Sequence, residues 1–119
     1  MANDIDGFVL PISCDRLDEY KLLVEAVAEI WKEHGAIDYK EYVGDDMMLE
    51  GTRSFTDLTG ATEGEAIVFG WVVFESREAR DSANEKVAAD PRMAKLVNSS
   101  SSGLDAAQMA CGGFQSLVQ

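Results

Sequence analysis

The sequence predicts an α+β fold of the ferredoxin-like type, a four-stranded antiparallel sheet with helices on one face. The first observation is the order of the predicted elements, strand, helix, strand, strand, helix, strand, which is typical of this βαββαβ sandwich. The second is residues 66–76, a predicted strand that is apolar on both alternating faces. One face carries Ile67, Phe69, Trp71 and Val73, and the other Val68, Val72 and Phe74. Helices can cover only one of these faces.

The first two elements are a strand and a long helix. Residues 5–12 have the composition of a strand, and Pro11 near its end indicates an edge position or a bend. The helix is expected to have Asp15 as its N-cap and to end at Gly35, in the left-handed conformation. Between these two residues, apolar side chains recur at helical spacing: Leu17, Tyr20, Val24, Val27 and Trp31.

The second strand is predicted at residues 36–43. Its alternation places Ile37, Tyr39 and Val43 on one face and Asp38, Lys40 and Tyr42 on the other. Residues 44–65 are rich in Gly, Asp and Thr and follow neither period, so they predict a long loop with a short extended piece at 52–55. Loops of this length in small domains are often functional.

The strand at residues 66–76 is followed by two predicted helices. Ser76 is expected to cap the first of them, and a stripe of small residues indicates close packing on the sheet: Ala79, Ala83 and Val87. Asp90 and Pro91 form an N-cap and first-turn pair, which predicts a short further helix.

A polar linker at residues 99–103 precedes the last strand, predicted at about 109–118. Gly112 and Gly113 within it indicate a bulge or a close backbone approach. Because the first and last strands are neighbours in a ferredoxin-like sheet, Cys14 and Cys111 are expected to lie close together, as two thiols in a reducing cytoplasm, with a regulatory disulfide as the alternative.

Composition limits the partners and the compartment. The 119 residues suit one domain, and a formal net charge of −12 with a pI near 4.3 disfavours nucleic acid and anionic membranes. The acidic N-terminus lacks the features of a signal peptide and no stretch is long enough to span a bilayer, so a cytoplasmic protein is expected. Without a Cys/His cluster, the sequence predicts no metal site and no bound cofactor.

The second face of the sheet has no predicted cover. Whichever register is chosen, it carries aromatic or β-branched groups, and an exposed patch of this kind indicates an interaction surface. We therefore expect a homodimer in which two sheets pack face to face about a twofold axis.

Three acidic or basic side chains are the candidates for proton transfer. His34, the only histidine, lies in the last turn of the first helix, where it could act as a general base, ligate haem or simply cap the helix. Asp45 and Asp46 follow the second strand directly, so a carboxylate there could face a cleft and act on an acidic C–H. The same Gly-Asp-Asp sequence also suits a tight turn.

Aromatic and basic residues are the candidates for binding a ligand. Trp71 and Tyr39, with Phe69 and Tyr42, could line an apolar pocket between helices and sheet, although core or dimer packing would use them equally well. Arg80 near the start of the second helix could hold a substrate anion, with ordinary surface ion pairs as the alternative.

Several motifs together resemble a known bacterial family. They are Asp6-Gly-Phe-Val-Leu-Pro11, Glu33-His-Gly-Ala36, Val43-Gly-Asp-Asp46, Val68-Phe-Gly-Trp71, Ala89-Asp-Pro-Arg-Met93 and Gly112-Gly-Phe114. With them the chain resembles the YbaA-like proteins, domain-of-unknown-function family 1428, over nearly its whole length. The resemblance implies a dimeric α+β barrel, a superfamily that includes cofactor-independent monooxygenases, muconolactone isomerase-like enzymes and haem-degrading proteins.

The chain departs from this family at one place. Where members commonly carry a basic pair, it has Leu104-Asp-Ala-Ala-Gln-Met109, so an anion-binding role for that pair is not expected here.

Two functions therefore stay open at the level of sequence. The first is a metal-independent enzyme or binder of the monooxygenase or isomerase type, which holds a small hydrophobic organic compound between helices and sheet. The second is a non-catalytic homodimer that acts as a stress-related or accessory interaction module.

Overall fold

The structure, a computed structural model, describes residues 3–98 and 108–118. The strands are β1 (Asp4–Ser13), β2 (Asp38–Val43), β3 (Glu65–Phe74) and β4 (Ala110–Gln115). The helices are α1 (Leu17–Glu33), α2 (Phe55–Thr59), α3 (Arg77–Ala89) and α4 (Pro91–Val97). The predicted linker at 99–103 and most of the segment at 104–109 lie outside the described residues.

The four strands form one antiparallel sheet in the order β2-β3-β1-β4. With the crossovers through α1 and α3, this order is that of a ferredoxin-like βαββαβ sandwich, so the predicted fold class is confirmed. β3 lies between β2 and β1, as expected of the strand that is apolar on both faces.

The core lies between the sheet and the helices α1 and α3. Alternate residues of β1 and β3 point toward these helices, which we call the inner face of the sheet. Its buried side chains include Leu10, Ile12, Val68, Val72 and Phe74, packed against Tyr20 of α1 and Ala83 of α3. The small-residue stripe of α3 was thus predicted correctly, since both Ala83 and Val87 are buried.

Most predicted helix ends are confirmed. The Ser76 side chain accepts a hydrogen bond from the Ala79 backbone N–H, and Asp90 accepts one from the N–H of Arg92. Gly35 follows α1 with a φ of 115°. The prediction that Asp15 caps α1 is wrong, because Cys14–Arg16 form a 3-10 turn and the helix begins only after it.

The long loop contains a helix rather than the predicted extended piece at 52–55. Ser54 accepts a hydrogen bond from the Asp57 backbone N–H, and Gly60 ends the helix with a φ of 70°. These two caps stabilise α2, which lies against β1 on the second face of the sheet. We call this second side the outer face.

β4 is shorter than predicted, and it pairs only with Asp4 to Val9 of β1. Beyond that point β1 has no partner on this side among the described residues, and Pro11 lies in this edge segment, as predicted. The register runs through Gly112 and Gly113 without an extra residue, so there is no bulge.

The expectation that Cys14 and Cys111 lie close together is wrong. Cys111 pairs with Phe8, whereas Cys14 follows the far end of β1, six residues further along the strand. At the rise of an extended strand this separates them by about 20 Å, too far for a disulfide. Both thiols are free.

Candidate functional site

A cavity of about 310 Å³ lies between the helices and the inner face of the sheet. All four strands contribute to its floor, and α1, α3 and α4 form its walls. A cavity of this size is at the lower end of the range for small-molecule sites. Its described lining residues are Asp6, Phe8, Tyr20, Leu23, Val24, Val27, Trp31, Tyr39, Glu41, Val72, Arg80, Asn84, Met93, Val97, Met109 and Cys111.

A glycine in β3 makes room on the floor. A Cβ atom at Gly70 would lie 2.6 Å from the ring of Phe8 and 2.8 Å from Cγ of Glu41. Only a residue without a side chain lets these two neighbours lie over the centre of the sheet. The absence of a side chain at Gly70 therefore leaves the space that Phe8 and Glu41 occupy in the cavity.

The first polar group of the cavity is built around Glu41. Its Oε1 accepts a hydrogen bond of 2.6 Å from the Tyr20 hydroxyl, and its Oε2 accepts one of 2.6 Å from the Tyr39 hydroxyl. Tyr20 lies on α1, while Tyr39 and Glu41 are alternate residues of β2, so both carboxylate oxygens are held from different directions. We call these three residues the Glu41 triad.

Burial sets the protonation behaviour of the Glu41 triad. It raises the pKa of the Glu41 carboxyl above its ordinary value, and the two tyrosine hydrogen bonds offset only part of this effect. Burial, followed by the charge of Glu41, also raises the pKa of Tyr20 and Tyr39, so both stay neutral phenols. A carboxylate with a raised pKa in a mostly apolar cavity is a stronger base than a free carboxylate.

The second polar group is an ion pair between β1 and α3. Asp6 is buried, its Oδ1 accepts a hydrogen bond of 2.7 Å from Nε of Arg80, and its Oδ2 accepts one of 2.9 Å from Nδ2 of Asn84. A Cβ atom at Gly113 would lie 2.8 Å from the Arg80 guanidinium. The close approach at Gly113 is therefore made by the Arg80 side chain and not, as was predicted, by another backbone segment. This group therefore satisfies the charge of Asp6 within the protein.

The Glu41 triad also borders a second space. A groove of about 470 Å³ lies between α1 and the edge strand β2, and its walls include Tyr20, Tyr39 and Glu41. The same three side chains thus line both the groove and the cavity.

Two of the predicted ligand-binding residues, Tyr39 and Arg80, line the cavity, and the third does not. Trp71 lies on the outer face, where its ring stacks on Tyr42 at 5.3 Å between centroids. The prediction that Trp71 shapes a pocket between helices and sheet is therefore wrong, because odd-numbered residues of β3 point away from the helices.

His34 lies where α1 meets α4, outside the cavity lining. Its Nε2 is 2.9 Å from Oδ2 of Asp90, the residue that caps α4, and Arg92 pairs with both Asp90 and Glu33. Hydrogen bonds hold the pKa of Asp90 well below its usual range, with the larger effect from Arg92 and the smaller one from His34. The geometry is that of a link between two helix ends.

Asp45 and Asp46 are exposed in the bend after β2 and do not line the cavity either. The structure thus does not bring His34, Asp45 and Asp46 together with Tyr39 and Arg80. Within residues 3–98 and 108–118, no group of three or more His, Cys, Asp or Glu side chains could hold a metal ion.

Sequence reasoning missed Glu41, Tyr20, Asp6 and Asn84. The signal for Glu41 was present in the alternation of β2, because position 41 shares a face with Tyr39 and Val43. In the same way Asp6 shares a face of β1 with Phe8 and Leu10. An acidic residue on an apolar strand face indicates a buried polar site, and both acids fit this pattern.

The family is established by comparison with known proteins. A family model described as "Protein of unknown function (DUF1428)" matches residues 3–105. The chain belongs to the DUF1428 family. Proteins named "Uncharacterized protein YbaA" from Escherichia coli strain K12 and from Shigella flexneri are 34% identical to it over 114 residues, 96% of each chain. The resemblance to the YbaA-like family is thereby confirmed.

Solved structures similar to this DUF1428 member are more distant. A de novo designed protein, Foldit4, aligns over 98% of this chain and 99% of its own with a TM-score of 0.46 and 12% identity. A dimeric ferredoxin-like protein from an uncultured marine organism aligns over 98% and 95% with a TM-score of 0.44 and 11% identity. The fold assignment rests on the strand order and not on these similarities. None of the helices in the described part of the chain has the length and apolar character to cross a bilayer.

Proposed function

We propose that this DUF1428 protein binds a small, mostly apolar organic molecule in the cavity between helices and sheet, and that Glu41 exchanges a proton with it. The observation that carries the proposal is a partly buried carboxylate held by two tyrosine hydroxyls in the wall of a mostly apolar cavity. A cavity of about 150 Å³ is enough for benzene, so 310 Å³ accommodates one substituted ring.

The chemistry that fits is an isomerase-like proton transfer that needs no metal. In an α-hydroxy ketone, Glu41 takes the proton from the carbon that bears the hydroxyl group, and the electron pair moves to the carbonyl oxygen to give an enediolate. The proton then returns to the former carbonyl carbon, while the hydroxyl proton passes to the former carbonyl oxygen, so that the carbonyl and hydroxyl groups exchange places. The raised pKa of Glu41 makes the carboxylate a stronger base than a free one. We assign this role to Glu41 rather than to His34, Asp45 or Asp46, because only Glu41 lines the cavity.

Binding is tested by filling the cavity. Val97 of α4 lines it, and Val97→Phe adds a ring there, whereas Val118→Phe adds the same ring at an exposed position outside it. In isothermal titration calorimetry with benzyl alcohol, we expect at least a tenfold loss of affinity for Val97→Phe and none for Val118→Phe. Equal affinity for both variants would show that the cavity is not the binding site.

Proton transfer is tested with a panel of single-ring ketones in D₂O. We expect exchange of the C–H next to the carbonyl, observed by proton NMR, to be faster with the wild-type protein and to fall to the buffer rate with Glu41→Gln. Glu50→Gln, at an exposed position in the loop, serves as the control and keeps the wild-type rate. Undiminished exchange with Glu41→Gln would remove Glu41 from the reaction.

We also propose that two copies associate through the outer face of the sheet. Apolar side chains from all four strands lie there, with Ile5, Tyr42, Trp71 and Phe114 outside the part next to α2. Phe114 is 57% exposed and Tyr42 is 53% exposed. A second copy presents the same apolar face, so a twofold contact buries both together. The exposed apolar face therefore favours a homodimer. A non-catalytic homodimer that acts as an interaction module is the second candidate function.

We place this protein in the cytoplasm. The support is that Cys14 and Cys111 lie too far apart to form a disulfide within the chain, so the fold does not depend on an oxidising compartment.

A further inference from the structure

We infer that the cavity selects uncharged or cationic compounds that carry a hydrogen-bond donor, and that it rejects carboxylates. This inference rests on the proposed function, because it specifies the class of molecule that the same cavity takes. It follows from three properties of the lining residues: their net charge, the unused acceptor capacity of Glu41 and the aromatic walls.

The charges of the lining residues leave Glu41 without a counterion. Among the described lining residues, Arg80 is the only cation, and Asp6 and Glu41 are the two acids. Arg80 already donates to Asp6 at 2.7 Å and, through Nη1, to Asp81 at 3.2 Å. Glu41 takes part in none of the described ion pairs. The ionised cavity therefore has an excess negative charge located at Glu41.

Glu41 has acceptor sites to spare. An ionised carboxylate offers about four lone-pair sites, and the hydroxyls of Tyr20 and Tyr39 occupy one on each oxygen. A ligand ammonium, amine or hydroxyl group can use the remaining sites. A ligand carboxylate can only accept hydrogen bonds, and it would meet a like charge at short range in a mostly apolar cavity.

The apolar walls favour a ring next to the donor group. Phe8, Trp31 and the two tyrosines of the Glu41 triad supply aromatic surface, and an ammonium group also gains from contact with ring faces. The ligand class is therefore a small aromatic or alicyclic compound that carries an amine or hydroxyl group, which can stand beside the carbonyl group of the proposed reaction.

The test compares three probes that share one ring. Benzylamine, benzyl alcohol and benzoate are titrated into the wild-type protein at pH 8, where the amine is protonated and benzoate is ionised. The buffer contains 0.3 M NaCl, so that the acidic surface does not attract the amine by itself. In isothermal titration calorimetry, we expect benzylamine to bind at least tenfold more tightly than benzoate, with benzyl alcohol between them.

Three variants test whether the selectivity among the probes arises at Glu41 and in the cavity. Glu41→Gln is expected to bring benzylamine and benzoate within threefold of each other, while Glu50→Gln keeps the wild-type order. Val97→Phe is expected to weaken both benzylamine and benzyl alcohol, which excludes binding on the outer face of the sheet. Because the order of the three probes is measured on the wild-type protein, it decides the inference even where Glu41→Gln does not fold.

The outcomes separate this inference from the function on which it rests. Benzoate binding as tightly as benzylamine, or more tightly, in a manner that Val97→Phe weakens, overturns the selectivity and leaves the cavity as a binding site. If none of the three probes binds at millimolar concentration, both the proposed binding function and the inference fail.

Discussion

Glu41 is a residue whose environment affects the stability of the whole protein. Its pKa is raised above the ordinary value of 4.5, mainly because it is buried. An acid with a raised pKa contributes its full stability below the ordinary value, and this contribution is lost as the pH rises through the pKa of the folded state. The ionised form of Glu41 is thus the less stable one in the fold.

We therefore predict that the free energy of unfolding of Glu41→Gln, relative to that of the wild-type protein, is higher at pH 8 than at pH 4. Urea unfolding at both pH values measures the free energy of unfolding of each protein. Glu65→Gln is the control of opposite sign, because hydrogen bonds from Thr62 lower the pKa of Glu65 and the wild-type carboxylate stabilises the fold as the pH rises. A Glu41→Gln difference that does not change with pH would contradict the assigned environment.

His34 is predicted to act on stability and not on ligand binding. His34→Ala removes the hydrogen bond to Asp90 that joins the end of α1 to the start of α4, which should cost about 1 kcal/mol. Asp90→Ala removes both this hydrogen bond and the cap of α4, so it should destabilise the fold more than His34→Ala does. The measurements are urea unfolding and benzyl alcohol affinity. A loss of affinity without a loss of stability would instead favour the catalytic role that the sequence suggests for His34.

Site residues were recognised in the sequence only where their residue type is usually found in a pocket or core. Tyr39 stood out because an aromatic residue on an inward strand face is expected in a pocket or a core. Glu41, two positions away, has the same orientation, but an isolated Glu in a strand is most simply explained by exposure. The hydroxyls of Tyr39 and Tyr20 together offset the cost of its partial burial, and no local pattern predicts the contact with Tyr20, which lies on a different element.

At the level of elements, local signals worked where they were long or chemically specific. The alternation in β3 and the caps at Ser76 and Asp90 each follow from a few neighbouring residues, and all were confirmed. α2 was missed because five residues are too few to show a helical period. Its only signals were the Ser54 cap and Gly60, which a loop rich in turn residues conceals.

Gly70 gives a prediction for the sheet itself. Gly70→Ala places a Cβ 2.7 Å from the Lys40 carbonyl oxygen as well as against Phe8 and Glu41, so β2 and the cavity floor must shift. We expect a loss of about 1–3 kcal/mol and weaker binding of benzyl alcohol.

The matched control for Gly70→Ala is Gly112→Ala in β4. There the nearest atoms to the new Cβ are in Phe114 at 3.8 Å, an ordinary contact, so little effect on stability is expected. Urea unfolding and calorimetry measure both variants. Equal stability of the two would show that the floor tolerates a side chain at Gly70.

At the level of the whole molecule, topology was easier to predict than register. The order of elements was enough to place β1 beside β4, but not to show that the pairing covers only Asp4 to Val9. The cysteine prediction failed for this reason, since strands can be neighbours while their ends lie far apart. The pairing ends at Val9 because β4 begins only at Ala110, a boundary that the order of elements does not reveal.

The proposed homodimer gives a prediction about assembly. Trp71→Glu places a charge in the centre of the outer face. At micromolar concentration we expect a monomer for this variant and a dimer for the wild-type protein. Leu22→Glu is the control, because Leu22 is an exposed apolar residue of α1, on the other side of the molecule. Light scattering gives the mass of each protein. A wild-type monomer, or a dimer that only Leu22→Glu disrupts, would remove the outer face as the interface.

The salt dependence of dimer affinity distinguishes an apolar interface from one made of ion pairs. Each chain has a formal net charge of −12, so two associated chains repel each other over their acidic surfaces. Salt shortens the range of this repulsion to about 10 Å at 0.1 M and about 3 Å at 1 M, while apolar contacts on the outer face are not weakened by screening. We therefore expect the dissociation constant of the dimer, measured by analytical ultracentrifugation, to fall as NaCl rises from 0.05 to 0.5 M. An interface held by charge pairs would show the opposite trend, because the same ions would screen the attraction that holds it together.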